Sequence, residues 1–337
     1  MAIYITRRLL LLPVLLVGLS LITFVVSHKI PGNPLVAQLG LRGASNPQTV
    51  RTYRKKWGLD RSLPEQYVAY VGNLLHGDFG RSLVSQRPVS EDLKQYMPAT
   101  IELAVASLIV AAVPGLLLGI WAAVRANTVT DSAIRLIALL GSSLPVFWLG
   151  LIVLFLLYGR LGWLPGPGRL SPYATPPPQV TGLYTVDSLL AGKPELFWDA
   201  LKHLVLPAFV LGWSTMGVIT RMSRSSLLDV LKTDYVRTAR AKGLTPLTVL
   251  RRHAVRNAIV PTLTVTSLAF GGLLAGAVLT EVVFSWPGIG QYAVQSADNL
   301  DVPGVMGVTL VAGLLYVLVN LLADILYALF DPRIRYA

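Results

Sequence analysis

Two Gly-x-Ser triplets, Gly18-Leu19-Ser20 and Gly212-Trp213-Ser214, are the nearest this chain comes to a nucleophile elbow for acyl transfer, and both lack the closing glycine. The four histidines, His28, His76, His203 and His253, are scattered, with no His-Glu-x-x-His pair to seat a zinc ion. The one Gly-Lys pair, Gly192-Lys193, runs into Pro194 and lacks the upstream glycine of a phosphate-cradling loop. Cysteine is absent, which removes disulfides, iron-sulfur clusters and thiolate metal sites. The expectation is therefore a protein with no catalytic residues, metal or cofactor of its own. An intramembrane enzyme with an unfamiliar site is the distant alternative.

The residues that do carry a pattern are mechanical ones. Residues 237–261 hold seven Arg, Lys or His side chains between two long apolar segments. Thr233 or Asp234 can cap a short helix that continues from Tyr235 to Lys242, and Gly243 supplies a left-handed terminus. Thr245 can cap a second helix whose first position is Pro246, where the missing N–H costs nothing. Pro261, with Asn257 and Ile259, then starts the next apolar segment. The spacing predicts two short helices with a fixed bend. Small side chains on the first, Ala239 and Ala241 among them, would let it enter a partner's groove, with the basic groups on acidic rims or in water. A rigid element joined directly to a membrane helix can transmit motion.

The elements that must position this block are membrane spans. The chain has 337 residues, of which 53% are hydrophobic and 14% charged, with a mean hydropathy of +0.60, too apolar for a soluble protein of this length. A bilayer core needs roughly 20 apolar residues per helix. Six runs qualify: Leu9–Ser27, Leu103–Val124, Leu136–Tyr158, a weaker Leu204–Thr220 that includes Pro207, Ile259–Thr280, and Val305–Ala323. The first follows Arg7 and Arg8 but lacks a signal-peptide cleavage pattern, so it reads as a retained span. Segment 221–256 carries Arg and Lys throughout against only Asp229 and Asp234, whereas 285–304 has none. The positive-inside rule places the first of these in the cytoplasm and, with six spans, both termini beside it.

The sequence accordingly divides into 1–29 (cytoplasmic end and first span), 30–98 (an extracytoplasmic helical cap between spans one and two), and a core at 99–337. That core includes an extracytoplasmic loop at 159–203 and a cytoplasmic loop at 221–258. In the cap, Val50–Trp57 and Pro64–Leu75 have helical character, while Pro167–Gln179 reads as a proline-stiffened loop. The formal charge of +12 fits anchoring at anionic lipid better than nucleic-acid binding, since no aromatic platform accompanies it.

The basic block resembles the cytoplasmic coupling loop of ABC-transporter permease subunits, whose pattern is Glu-Ala-Ala, three residues, Gly, and later a Pro. The matching positions here are Arg237, Thr238, Ala239 and Gly243, with the Glu absent and one Ala kept. Arg-Thr-Ala-Arg-Ala-Lys-Gly, then His253 to Ala258 and Pro261, is closest to the peptide-permease branch. Pro31-Gly32-Asn33-Pro34, His76-Gly77-Asp78-Phe79-Gly80, Leu161 to Pro165, Phe284-Ser285-Trp286-Pro287-Gly288-Ile289-Gly290 and Asp331-Pro332-Arg333-Ile334-Arg335 are further marks of it. The loop at 166–202 makes the chain most similar to the first permease subunit of dipeptide transporters.

The resemblance implies an all-α, type I importer fold in a bacterial or archaeal cytoplasmic membrane. It also implies a homologous second permease, two cytoplasmic ATPase subunits that hold ATP and magnesium, and an extracytoplasmic peptide-binding protein. Nickel chelates, glutathione or oligosaccharides are alternative cargoes. The coupling residues would be Arg237, Thr238, Ala239, Arg240, Ala241, Lys242, Gly243, Leu244 and Pro246. Gly272 and Gly276, four apart in the fifth span, read as helix packing first and as translocation path second, with Thr280 beside them. Glu281 is a candidate for an outer gate or a binding-protein contact, set against a wet interfacial carboxylate. Asp324, in the last turns of the sixth span, reads as paired with a cytoplasmic-side Arg.

Overall fold

The computed structural model describes residues 2–29, 46–48, 50–51 and 60–330. Helices α1 (Ala2–Lys29) and α2 (Leu63–Leu75) come first. α2 opens on Ser62-x-x-Glu65, where the Ser62 N–H donates to Glu65 Oε2 at 3.1 Å. The helix expected at Val50–Trp57 lies mostly outside the described residues. Next come α3 (Val89–Val124) and α4 (Val129–Ser143), then α5 (Val146–Val153), which continues as π-helical turns through Leu154–Arg160. A short α6 (Tyr184–Leu190) precedes α7 (Pro194–Leu231) and α8 (Asp234–Ala241). α9 (Pro246–Thr248) passes through π-helical turns at Val249–Val255 into α10 (Arg256–Val283), followed by α11 (Ile289–Asp298) and α12 (Val302–Phe330).

Among the described residues four helices are long and apolar enough to cross a bilayer: Val89–Val124, Pro194–Leu231, Pro246–Leu274 and Val302–Leu321. The pair α4–α5 makes a fifth if its two arms, bent by 106°, are one span, and α1 contributes the shorter apolar helix Leu12–Val26.

Two sequence expectations change here. Leu136–Tyr158 is not one straight helix, because Leu144 stands before Pro145 and takes an extended conformation (φ −84°, ψ 132°) that stops α4. Pro261 does not start a span either. It lies inside α10, which is continuous with α9, so the second half of the basic block is the root of the membrane helix itself. A membrane helix tolerates the freed carbonyl where neighbouring groups can meet it.

The core is built on α7, which packs most extensively on α3 and then on α10 and α4. Ser107 and Ala111 of α3 lie against Gly212, and Gly115 lies against Ile219, so α3 and α7 run parallel. α10 is antiparallel to both: Ser223 bonds Thr262 at one end, while Leu204 and Ala208 join Leu273 and Ala277 at the other. Close approach depends on missing side chains, since a Cβ at Gly212 would stand 2.6 Å from the Ser107 carbonyl oxygen. α12 packs against α10, α1 and α11.

Candidate functional site

The basic block forms α8, a turn and the root of α10. Thr233 sits at the N-terminus of α8 in extended conformation, with its hydroxyl donating to the Val230 carbonyl at 2.6 Å. Gly243 adopts φ +75°, the left-handed region where a side chain is strained. Thr245 Oγ1 then accepts from the Thr248 N–H at 3.4 Å, with Pro246 at the first helical position.

α8 is two-faced. Val236 and Ala239 are buried against Val249, with Val230 and Leu231 beside them. Ala239, 5% exposed, therefore faces its own chain and does not enter a partner's groove; its small size sets how closely α8 lies on the root of α10. Arg237, Thr238, Arg240, Ala241 and Lys242 point outward, and Gly243, Leu244, Pro246 and Leu247 continue that exposed surface. Tyr235 ties the two parts together, since its hydroxyl accepts from Asn257 Nδ2 at 3.0 Å. α8 is thus joined to the root of α10 through Val249 and Asn257.

A second connection joins the same end of the bundle to α4. Asp131, fully buried, receives Arg224 in a two-point pair, Nε to Oδ1 at 2.6 Å and Nη2 to Oδ2 at 2.7 Å. The Asn127 N–H adds a further bond at 3.0 Å. Arg221 donates to the Ala138 carbonyl at 2.9 Å and to Ser142.

At the opposite end Glu281 is fully buried. Its Oε1 accepts from Thr100 Oγ1 at 2.6 Å and its Oε2 from the Gln291 N–H at 3.0 Å. The segment 284–290 wraps around it, with Trp286 N–H donating to the Glu281 carbonyl at 2.8 Å and the indole N–H to the Ala99 carbonyl at 2.8 Å. Glycine is required where this loop passes, because any Cβ at Gly288 would overlap the Glu281 carboxylate. Glu281 is accordingly an internal tether, neither a wet carboxylate nor a surface contact. Thr280 is buried as well. Gly272 faces open space, with nothing within 4 Å of an added Cβ, whereas Gly271 is the residue packed on Tyr316 and Asn320. The packing reading of Gly272 within this chain therefore fails. The surroundings of Gly276 and Asp324 lie outside the described residues, as do Arg333 and Arg335.

The loop after α5 is held by groups that sequence reasoning passed over. Arg169 Nη2 meets Glu102 Oε2 at 2.5 Å, also donates to the Gly182 carbonyl at 2.9 Å, and stands 3.6 Å from the Tyr184 ring centroid. Glu102 Oε1 accepts from both the N–H and hydroxyl of Thr185. Asp187, buried, accepts from the backbone of Val180, Thr181 and Gly182. Burial alone would raise its pKa, but these donors together outweigh that and hold the carboxyl below its ordinary range. The available signal was an ionisable residue in or beside an apolar run, which needs a named partner: Glu102, directly before Leu103, and Asp131, between two runs, met it.

Long apolar helices around a glycine-mediated core define a multi-pass helical membrane protein, and its rigid basic loop is rooted in two of those helices. Residues 115–336 match the family described as binding-protein-dependent transport system inner membrane component, and residues 1–104 match the N-terminal part of such components. The chain belongs to this family and is a subunit of the cytoplasmic membrane, not an enzyme. It is 47% identical over 317 residues to the probable D,D-dipeptide transport system permease protein DdpB of Escherichia coli (strain K12), covering 94% of this chain and 93% of that protein. It is 44% identical to the di/tripeptide transport system permease protein DppB of Pseudomonas aeruginosa (strain UCBPP-PA14), covering 99% and 98%. A chain of the inward-facing MetNI methionine ABC transporter aligns with a TM-score of 0.49 at 18% identity, covering 69% of this chain and 93% of that one.

Proposed function

We propose that this chain is a permease subunit of an ATP-driven importer of dipeptides and short peptides. It pairs with a homologous second permease to form the translocation path, receives cargo from an extracytoplasmic binding protein, and is driven by two cytoplasmic ATPases that hold ATP and magnesium. Six spans with both termini in the cytoplasm complete the reading, with 30–98 as a cap outside the membrane. The observation that carries it is α8 with its left-handed end at Gly243. Its buried face is fixed to the root of α10, and its outer face of Arg237, Thr238, Arg240, Ala241 and Lys242, with Leu244, Leu247 and Pro246, is left exposed. That surface has apolar anchors and a cationic rim, the chemistry of a groove-docking element. Closure of the ATPase pair on it would turn α10 and, through Arg224 and Asp131, bring α4 along. The relatives' cargo supports peptides.

Co-purification through a tag on this chain, expressed with its neighbouring genes, tests the proposal. Two ATPases and a second permease should be recovered, and ATP hydrolysis should rise with binding protein and dipeptide. Recovery of the chain alone would overturn it.

A further inference from the structure

A cavity of about 70 Å³ lies between the turn at 82–87, the start of α3 and α11, and shares no residue with the coupling loop or the Glu281 tether. Its wall is the stacked pair Tyr96 and Tyr292, with centroids 5.0 Å apart and planes 12° apart. Asp92, with 0% exposure, lines it. Asp92 Oδ2 is satisfied by Ser85 Oγ at 2.6 Å and the Tyr292 hydroxyl at 3.2 Å. Oδ1 meets only Arg87 Nη2, at 2.7 Å and without hydrogen-bond geometry, and the Arg87 side chain is 48% exposed. Ser296, 2% exposed and also lining the cavity, has a hydroxyl with no partner. Asp301 is a second fully buried carboxylate in this cluster, already occupied by Ser82 Oγ and the N–H groups of Leu83 and Gly304.

The unmet group is thus the Ser296 hydroxyl, and Asp92 Oδ1, held only by the half-exposed Arg87 guanidinium, lines the same cavity beside the stacked tyrosines. Buried polar atoms without partners are uncommon and call for an occupant. An anion would meet two negative charges. An apolar guest would leave the Ser296 hydroxyl unmet. A divalent cation asks for about six oxygen ligands, and Asp301 and Asp92 Oδ2 are already committed to protein donors. We propose that this cavity binds a primary ammonium group, which donates to Ser296 Oγ and takes the place of the half-exposed Arg87 guanidinium at Asp92 Oδ1, with Gln295 and the tyrosine pair lining the same space. Roughly 10–15 Å³ of such space admits one water-sized group, so the cavity takes an ammonium and a short stem. The α-ammonium of a peptide and a free amine share this chemistry, and the site does not depend on peptides being the cargo.

The test uses the full chain in lipid nanodiscs and radiolabelled methylammonium. Saturable binding is expected, resistant to an equal concentration of sodium chloride, and about tenfold weaker in Ser296→Ala, the size of one hydrogen bond to a charged group. That variant removes only an unpartnered hydroxyl, so folding is retained. Absence of saturable binding, which would mean the cavity holds water alone, overturns the proposal; so does an unchanged Ser296→Ala, or equal displacement by sodium. Competition by Ala-Ala but not by N-acetyl-Ala-Ala assigns the site to a peptide's N-terminus, and competition by neither assigns it to free amines. Because binding to this chain is read directly, failure here leaves the import reading to stand or fall on its own experiment.

Discussion

Single residues in this protein act as pins that hold loops in place, and each pin makes a prediction. Asp187 holds the turn 180–182 through backbone donors that favour its charged form. A carboxyl whose folded pKa lies below its unfolded value of about 3.9 stabilises the fold above that value and ceases to do so as pH falls through the folded one. Thermal unfolding in detergent should therefore show a loss of midpoint below about pH 4 that is smaller in Asp187→Asn, which starts from a lower midpoint at neutral pH. Equal pH slopes in the two proteins would remove Asp187 from that role. Gly288→Ala should be more severe, because its Cβ has no space beside Glu281, which is itself held by Thr100 and Gln291. Overpacking of this kind costs roughly 1–3 kcal/mol, visible as a lowered unfolding midpoint, and Glu281→Ala should relieve part of it in the double variant.

Between elements, the pair Asp131–Arg224 decides whether α4 moves with α7. The Arg224 side chain is 20% exposed and Asp131 fully buried, so removing the carboxylate leaves a largely desolvated guanidinium unpaired. Asp131→Asn should destabilise by up to about 3 kcal/mol, the lower end for a buried pair. Arg224→Lys should fall between it and the parent, since an ammonium cannot make the two-point contact. Hydrogen exchange on α4 is the measurement, with faster exchange at 129–143 expected in both variants; unchanged exchange would show the pair to be dispensable. This pair also marks a limit of sequence reasoning. Hydropathy located each long apolar helix, because burial in lipid is written in composition. It gave no hint that Asp131 finds Arg224 across 93 positions, or that Glu102 finds Arg169 across 67, since partners brought together by packing leave no local spacing. The bend at Pro145 was legible in principle, as Leu144 precedes a proline within an apolar run, but an unbroken stretch of hydrophobic residues outweighed it.

For the molecule as a whole, the question is how an event at the basic loop reaches the opposite end. Gly243, Thr245 and Pro246 were readable in advance because turns and caps are local chemistry. That Ala239 faces inward was not, because it depends on where Val249 and Leu231 arrive in space. The resulting linkage is α8 on the root of α10, α10 running to Glu281, and Glu281 clasped by the loop 284–290 against α3. Gly243 is the position at which this train can be uncoupled without unfolding it. Its φ of +75° is costly for any β-branched residue, yet no atom lies within 4 Å of an added Cβ, so Gly243→Val strains only the turn, by about 1–2 kcal/mol. The spans should insert and unfold as in the parent protein, whereas the exposed surface from Arg237 to Leu247 should be re-aimed. In proteoliposomes containing the assembled transporter, ATP hydrolysis should persist without dipeptide stimulation and uptake should fall at least tenfold. Undiminished uptake would mean that the angle between α8 and α10 does not carry the stroke, and the mechanical reading of the loop would fail even if the ATPases still bind there.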